Sequence, residues 1–365
     1  MLSQQTKHNI VTTTRKLMEL RSTEDATKQQ KECLDLIVKE FGSDFETREY
    51  EFNGSPALVL TNAKSNESDI IISGHIDVVG GADNLFKPTI KENKLFGRGA
   101  YDMKGPLASA LHAASEAVKS GTSKTIAILI TSDEEVSGDG TRHLLSKEGY
   151  SARGAVIPDG GNQTHIVTAQ KGFAQLALTV KGSSSHASRP WKGENPIVLA
   201  AELVQKIADN YPVPESSDDW KTTVTSTKMV SGLNLNQIPE TATVYVDIRY
   251  TQESDTKKFL EWFNQEYHSV GSVETIAENG MFFVNESDPF VIGFKQTVQK
   301  STGSEPIFLK ECGTSDAIFF TEQGIPAVLY RPNGGGEHSD SEWVDIESLG
   351  VLYEVLLDYM LGADG

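Results

Sequence analysis

Four short runs of apolar residues, each followed by a cluster of polar residues, constrain the fold of this chain most strongly. They cover residues 70–72, 126–130, 155–157 and 327–330. Continuous apolar runs of this length are typical of strands buried on both faces, as in a parallel sheet between helices. The carboxyl ends of parallel strands meet at one edge of the sheet, where open α/β folds bind their ligands. The sequence therefore predicts one functional site at that edge.

The middle of the chain has a different pattern. Between residues 174 and 277 the predicted order is strand, helix, strand, strand, helix, strand, and residues 241–250 alternate strictly between apolar and polar. This β-α-β-β-α-β order is that of a ferredoxin-like α+β unit. We therefore predict an α/β domain with a mostly parallel sheet flanked by helices, formed by residues 1–173 and 286–365, and an inserted ferredoxin-like domain over residues 174–285.

The charge of the chain narrows the classes of partner. Lysine and arginine number 33 and aspartate and glutamate 51, which gives a formal net charge of −18. This excess of negative charge repels nucleic-acid phosphates and anionic lipid headgroups, so we expect no nucleic-acid partner and no membrane association. No apolar run approaches the roughly 20 residues that span a bilayer, and no secretory signal is visible. With only two distant cysteines, the chain is expected to be cytoplasmic and to act on a small molecule or short peptide.

Histidine and acidic side chains follow the predicted strands in a pattern suited to metal binding. The candidate ligands, a mixed nitrogen and oxygen set typical of zinc, are His75, His338, Asp102, Asp159 and one of Glu134 and Glu135. Each alone has an ordinary explanation, such as a helix cap or a solvated loop. Five ligands are too many for one tetrahedral ion with an open position, and they suit two ions that share a bridging carboxylate. The remaining glutamate is then available as a base.

Asp77 is predicted to support His75. Residues two apart in a strand point to the same face, so the two side chains lie together. A histidine that binds a metal commonly donates its other ring N–H to a carboxylate, and Asp77 is placed to accept it. The alternative is a histidine that is only hydrogen-bonded at a strand end.

Four motifs of this chain resemble those of the co-catalytic zinc hydrolases, a family that includes aminoacylase, carboxypeptidase G, acetylornithine deacetylase, succinyl-diaminopimelate desuccinylase and several dipeptidases and tripeptidases. The motifs lie in the family's order at residues 73–79, 97–107, 131–135 and 337–340. The resemblance covers essentially the whole chain, including the insert. It implies that the chain is an enzyme, a dinuclear zinc metallohydrolase of the deacylase or peptidase type.

The resemblance also implies a role for each residue of the site. The implied ligands are His75 and Asp159 for one zinc ion, Glu135 and His338 for the other, and Asp102 as the bridge. Glu134 would be the general base, taking a proton from a water molecule that bridges the two zinc ions of each chain, and the resulting hydroxide would attack the amide carbonyl. Co²⁺ or Mn²⁺ would substitute for zinc, because such ligand sets discriminate weakly. The family has a non-proline cis peptide bond after the bridging aspartate, so the bond from Asp102 to Met103 is a candidate.

One histidine of the insert resembles a residue that acts on a neighbouring subunit. The segment 185–190 resembles the histidine motif of the family's dimerisation domain. The resemblance therefore implies a homodimer formed through residues 174–285. In that dimer His186 would enter the partner's active site and stabilise the oxyanion. An ordinary loop histidine is the alternative.

Further residues resemble positions that contact the substrate. Asn236 and Arg249 match positions that bind the substrate's carboxylate, and Gly313 and Thr314 belong to a turn that lines the pocket in relatives. Arg249 shares a strand face with Asp247, so a structural ion pair between these two residues is the alternative.

Two features favour different substrates. Many deacylases of the family have glutamate where this chain has Asp159, and aspartate is more usual in relatives that need a free amino terminus. The domain length and the motif of Arg249 instead resemble compact deacylases and desuccinylases. We expect cleavage of the amide bond of an N-acyl amino acid or short peptide, with a dipeptidase or aminopeptidase as the alternative. An inactive binding protein on the same fold is disfavoured, because no candidate ligand is missing.

Overall fold

The computed structural model describes residues 2–216 and 219–362. Its α-helices are α1 (Gln4–Met18), α2 (Thr27–Phe41), α3 (Lys104–Lys119), α4 (Asp139–Ser146), α5 (Pro196–Asn210), α6 (Ser254–Tyr267), α7 (Pro289–Thr302), α8 (Ala317–Glu322) and α9 (Ile346–Leu361). Short 3₁₀ helices cover Gly42–Asp44, Asp83–Phe86 and Pro190–Lys192. Within the described residues, no helix combines the length and the apolar character needed to cross a membrane.

The strands are numbered in chain order. They are β1 (Glu46–Phe52), β2 (Ser55–Thr61), β3 (Glu67–Ser68), β4 (Ile70–His75), β5 (Thr89–Lys91), β6 (Lys94–Phe96), β7 (Ile126–Thr131), β8 (Ser151–Ala152), β9 (Ala155–Ile157), β10 (His165–Gln170), β11 (Gly172–Lys181), β12 (Ser185–His186), β13 (Thr223–Ser231), β14 (Gln237–Ile238), β15 (Thr241–Tyr250), β16 (Gly271–Asn279), β17 (Phe282–Phe283), β18 (Ile307–Glu311), β19 (Ala327–Leu329), β20 (Gly334–Gly335) and β21 (Trp343–Asp345).

The chain divides into two compact units. Unit 1 comprises the described residues up to Thr168, Phe283–Leu309 and the described residues from Ser315 onward, and unit 2 comprises Ala169–Phe282 and Lys310–Thr314. Within unit 1 the backbone N–H of Val284 donates a hydrogen bond to the carbonyl of Thr168 at 3.0 Å. The chain therefore leaves unit 1 and re-enters it at adjacent points.

Unit 1 contains most of a mixed nine-stranded sheet. Its strand order is β1-β2-β7-β4-β9-β19-β10-β17, and β18 pairs with β10. The four strands β7, β4, β9 and β19 run parallel to one another, whereas β1 pairs antiparallel with β2, β2 with β7 and β10 with β19. These parallel strands are the four apolar runs of the sequence, so the predicted parallel arrangement is confirmed at the centre of the sheet.

Burial on both faces explains why these strands are apolar throughout. Every residue of β4 and β7 is buried. On one face α3 contacts β4, and it also packs against α1 and α9. Its small residues Ala110, Ala113, Ala114 and Ala117 are completely buried, which lets the helix approach its neighbours closely. Each fully buried Ile or Leu of the strands contributes about 1.5–3 kcal/mol by leaving water.

Unit 2 has the ferredoxin-like order of elements that the sequence predicts. Its antiparallel sheet has the order β13-β15-β11-β16, and α5 and α6 connect the strands. The burial of β15 alternates residue by residue, as its sequence does. Core side chains of the sheet, such as Leu176 and Val244, pack with Leu203 of α5 and with Phe259 and Phe263 of α6. The outer strands of this sheet are β13 and β16.

Candidate metal centre and active site

The side chains predicted to bind metal converge at the carboxyl edge of the parallel strands in unit 1. They are His75 at the end of β4, Asp102 before α3, Glu134 and Glu135 after β7, Asp159 after β9 and His338 after β19. Because β7, β4, β9 and β19 are neighbours, their carboxyl ends bring together residues that are far apart in the sequence.

Asp102 lies between the two histidines of this cluster. Its Oδ1 is 3.3 Å from Nε2 of His75, and its Oδ2 is 3.1 Å from Nε2 of His338. A carboxylate whose two oxygens face two different imidazoles is arranged to bridge two metal ions. The peptide bond between Asp102 and Met103 is cis, as the resemblance implied.

Two overlapping groups of side chains are compact enough to hold a metal ion. His75, Asp102 and Glu135 form one group, and His75, Glu134 and Asp159 form the other, with the ligand atoms of each group within 4.8 Å of one another. In addition, Nε2 of His338 lies 3.0 Å from Oε2 of Glu135. The structure thus brings all six predicted side chains together.

Asp77 fixes the orientation of His75, partly in a way that the sequence did not predict. The nearest acceptor of Nδ1 of His75 is the backbone carbonyl of Asp77 at 3.0 Å, and the carboxylate Oδ1 is 3.4 Å away. Oδ2 of Asp77 accepts a hydrogen bond from the backbone N–H of Glu135 at 2.9 Å. Asp77 therefore positions residues after two different strands.

The remaining ring nitrogen of His75 is the atom that best tests the fit to a metal. Nε2 of His75 is buried and has no hydrogen-bond partner among the described residues. With Nδ1 donating to Asp77, the neutral form of His75 would present the lone pair of Nε2 to a cluster of carboxylates, which is the arrangement that a metal ion between them would use. Imidazole nitrogen and carboxylate oxygen are the ligands of catalytic zinc sites, so the donor set fits.

Without a bound cation, burial and neighbouring charges make the buried carboxylates of the cluster costly to ionise. Burial raises the pKa of Glu134 well above its ordinary value against the opposing charge of His75, and Asp316 adds to the increase. Burial, followed by the charge of Asp102, likewise raises the pKa of Asp159. Hydrogen bonds to Asp102 and Glu135 raise the pKa of His338 to about 10. Cations in the cluster would favour the ionised carboxylates and the neutral imidazoles instead.

Glu342 supports the turn of Asp102, and the sequence analysis missed it. Its Oε1 accepts hydrogen bonds from the backbone N–H groups of Tyr101 and Asp102 at 3.0 and 3.2 Å. Its Oε2 pairs with Nη1 of Arg98 at 2.7 Å, and both side chains are buried. The only signal was position, because Glu342 follows His338 by four residues and Arg98 lies in the second motif.

Arg331 is the second residue that the sequence analysis missed. It follows β19, and its Nη1 lies 3.7 Å from Oδ1 of Asp159 and 2.8 Å from Oε2 of Glu337. Its guanidinium lies 3.9 Å from the centre of the Tyr101 ring. A cation directly after a predicted strand was the only signal in the sequence.

Two of the predicted residues of the insert are neighbours at one place in unit 2. His186 is exposed and lies on β12, which pairs with β14. Its Nδ1 is 2.8 Å from Oγ of Ser188. The next residue, Ala187, donates its backbone N–H to the carbonyl of Asn236 at 2.8 Å. His186 and Asn236 are therefore held close together by their backbones.

The other predicted residues of the insert meet elsewhere in unit 2. Nη1 of Arg249 is 3.5 Å from Oγ1 of Thr314, and the exposed Gly313 precedes Thr314 in the chain. Nε of Arg249 is 2.7 Å from Oδ1 of Asp247, so the ion pair given as the alternative is present. The pair does not prevent Arg249 from contacting Thr314 as well.

Comparisons with known proteins give the family of the chain and the folds it resembles. Residues 71–362 match the family described as Peptidase family M20/M25/M40. A succinyl-diaminopimelate desuccinylase of Granulibacter bethesdensis is 31% identical over 330 residues, which cover 81% of this chain and 83% of the relative. The aminopeptidase PepT from Bacillus cereus has a similar structure, with a TM-score of 0.81 and 21% identity over 97% of this chain and 98% of the other. A dinuclear metal-binding peptidase of family M20 from Bacillus subtilis has a TM-score of 0.73 and 14% identity over 98% of each chain.

Proposed function

We propose, given that the chain belongs to peptidase family M20/M25/M40 and is a metallohydrolase, that it cleaves the amide bond of an N-acyl amino acid or short peptide at a site that binds two zinc ions. The observation that carries the proposal is the position of Asp102, with one oxygen facing His75 and the other facing His338. A site for one ion would need neither the second histidine nor the second oxygen.

The ligands are assigned from contacts and from the family motifs. His75 and Asp159 would hold one ion, Glu135 and His338 the other, and Asp102 both. When bound, the ions would lower the pKa of a water molecule and polarise the amide carbonyl of the substrate. Asp77 keeps His75 in the tautomer that offers Nε2 to the cluster, and it holds the backbone of Glu135 beside it.

Glu134 is the proposed general base. Its side chain is 15% exposed and Oε2 lies 3.8 Å from Nε2 of His75, so it borders the proposed metal site without being fully enclosed. Its carboxylate would take a proton from the attacking water and pass that proton to the leaving nitrogen.

An N-acyl amino acid is the preferred substrate class. A desuccinylase is a relative at 31% identity over most of the chain, and the aminopeptidase likeness at 21% identity concerns the fold. Arg249 and Thr314 would bind the carboxylate of the amino-acid part, with Asn236 and Gly313 as further contacts. A peptidase that needs a free amino group is the second candidate, and the identity of Asp159 favours it.

Unit 2 is proposed to form a homodimer in which each His186 completes the partner's site. His186 is exposed, and β13 and β16 are outer strands of their sheet, which another copy could cover. In a two-fold dimer, His186 would donate a hydrogen bond to the oxyanion formed on the amide carbonyl. The cytoplasm as its compartment stays a prediction of the sequence.

Metal analysis and a parallel activity assay test this function. Protein reconstituted with excess zinc should contain two equivalents of zinc per chain. It should release the free amino acid from N-acyl amino acids faster than it cleaves dipeptides. A firm content of one equivalent would contradict the two-ion site, and faster cleavage of dipeptides would favour the second candidate.

A further inference from the structure

Arg331 places a positive charge beside the proposed metal site, and no step proposed above uses it. Its Nη1 is 3.7 Å from Oδ1 of Asp159. The side chain of Arg331 is 11% exposed and that of Asp159 is 12% exposed. Water therefore screens the charge of this arginine weakly, and a substrate bound at the cluster would experience it.

The guanidinium is held on two sides. It lies over the ring of Tyr101, 3.9 Å from the ring centre, where the face of the ring attracts a cation. Nη1 is also 2.8 Å from Oε2 of Glu337. The side chain of Glu337 is 47% exposed and lies next to His338 in the sequence. Glu337 can turn into water, and another carboxylate can then take its place on Arg331.

A free amino terminus does not suit this position. The ammonium nitrogen of a peptide is two bonds from the carbonyl carbon of its first amide bond, so it would lie close to the cluster when that bond is cleaved. Asp159 is the acid that the family resemblance associates with a free amino terminus, and Asp159 already faces Arg331. A second cation there would be repelled by Arg331.

An acyl group that ends in a carboxylate does suit the position beside Arg331. In a four-carbon dicarboxylic acyl group the two carboxyl carbons are separated by three carbon–carbon bonds of about 1.5 Å each. Nη1 of Arg331 lies 3.7 Å from Oδ1 of Asp159, so a separation of a few bonds spans the distance from this proposed ligand to the guanidinium. An amide carbonyl bound near Asp159 would therefore bring the far carboxylate to the guanidinium, where a paired geometry is favourable.

We propose that Arg331 determines specificity at this site by binding the terminal carboxylate of a dicarboxylic acyl group in place of Glu337 and by disfavouring a free α-ammonium group. The inference rests on the proposed function and names the acyl part of its substrate.

A matched pair of substrates isolates the charge that Arg331 recognises. N-succinyl and N-butyryl derivatives of the same amino acid have acyl chains of equal length and differ in a terminal carboxylate. The wild-type protein should show a higher kcat/KM for the succinyl substrate. Arg331→Gln should reduce this preference by at least about tenfold and raise the relative activity on a dipeptide. Arg331→Lys should keep part of the preference, because it keeps the charge and loses the planar fork.

Two further variants separate a specific role from a general one. Glu337→Gln removes the competing carboxylate and should raise the succinyl preference. Arg153→Gln is the matched control. Arg153 precedes β9 and Asp159 follows β9, so this substitution makes the same change in net charge at the other end of the strand. It should leave the preference unchanged. A purely structural role for Arg331 would lower activity on both acyl substrates equally.

Binding of the free acids gives a readout that does not depend on turnover. Calorimetry of the zinc-loaded protein should detect tighter binding of succinate than of butyrate, and Arg331→Gln should abolish the difference at an unchanged zinc content. An unchanged succinyl preference in Arg331→Gln, or equal binding of both acids by the wild type, would overturn the inference. If no amide substrate is cleaved, the proposed function fails, and the two acids still decide whether Arg331 binds the carboxylate.

Discussion

The two units of this chain bury very different side chains. In unit 1 the buried polar and charged residues include His75, Arg98, Lys104, Asp133 and Glu342. Among the described residues of unit 2, the buried polar or charged side chains are Gln170 and Lys171, and the hydrophobic core is formed by aliphatic and aromatic side chains. Buried charges are costly unless they are paired or bind a cation. The cost of burying charged side chains therefore falls mainly on unit 1.

The sheets explain why the charged residues gather in only one unit. Four parallel strands end at the same edge in unit 1, so each can contribute a polar side chain to one place. The antiparallel strands of unit 2 end alternately at opposite edges, and their side chains alternate between a buried and a more exposed face. Strand direction therefore decides where a dense ionic cluster can form.

The largest expected effect is the loss of the base in unit 1. Glu134→Gln keeps the size of the side chain and removes the proton acceptor, so kcat should fall about 10²–10⁴-fold while two zinc equivalents remain bound. Glu135→Gln is the matched variant one position further, and it should weaken zinc binding. Activity and zinc content of both variants are measured together. If Glu134→Gln stays active and Glu135→Gln loses only turnover, the roles assigned to the two glutamates are reversed.

The next effect compares the cores of the two units with the same substitution. Phe263 in α6 of unit 2 and Phe294 in α7 of unit 1 are both completely buried. Each change to alanine should lower the free energy of unfolding by about 3–5 kcal/mol. Scanning calorimetry with and without zinc distinguishes the two variants. Zinc should stabilise the unit that binds it, so it should offset part of the lost free energy of unfolding only in Phe294→Ala. Equal offsets in both variants would show that the units unfold together.

The third effect tests whether unit 2 contributes chemistry to another subunit. His186→Ala should lower kcat about 10²–10³-fold with little change in substrate binding. Mixing this variant with Glu134→Gln under conditions of subunit exchange should restore up to about a quarter of wild-type activity, because half of the dimers form with one intact site each. Exchanged subunits that stay inactive, or full activity in a monomer, would exclude action across a dimer.

The smallest effect uses the two cysteines, one in each unit. Cys33 is completely buried in unit 1, and burial raises the pKa of its thiol. Cys312 in unit 2 is exposed. A thiol reagent should modify Cys312 quickly and Cys33 only when unit 1 opens. Zinc should slow the reaction of Cys33. Two fast reactions per chain would contradict the packing of unit 1 around Cys33.

The sequence predicted those parts of the structure that depend on local patterns. The alternation over 241–250 gave β15 with its observed limits, and the four apolar runs gave the parallel centre of the sheet. The positions of the proposed metal ligands were predictable because each follows a strand or lies in a recognisable motif. Their convergence follows from the shared edge of the strands.

The remaining features depend on contacts that no local pattern encodes. Glu342 accepts hydrogen bonds from backbone N–H groups about 240 positions earlier, and backbone groups leave no trace in the sequence. Arg331 meets Asp159 only because β19 pairs with β9 in the sheet. Lys310–Thr314 belongs to unit 2, although the residues on both sides of it belong to unit 1. Each case is decided by tertiary packing.

The insertion of unit 2 also has a consequence for the order in which the chain matures on the ribosome. Residues 169–282 are synthesised before β19, which occupies a position inside the sheet of unit 1 between β9 and β10. Domains generally fold as units while synthesis proceeds. We therefore expect unit 2 to reach its native state on the nascent chain, while the parallel centre of unit 1 waits for a strand that emerges near the end. A ribosome stalled before residue 327 should present a folded insert and an incomplete catalytic sheet with β9 open to other chains.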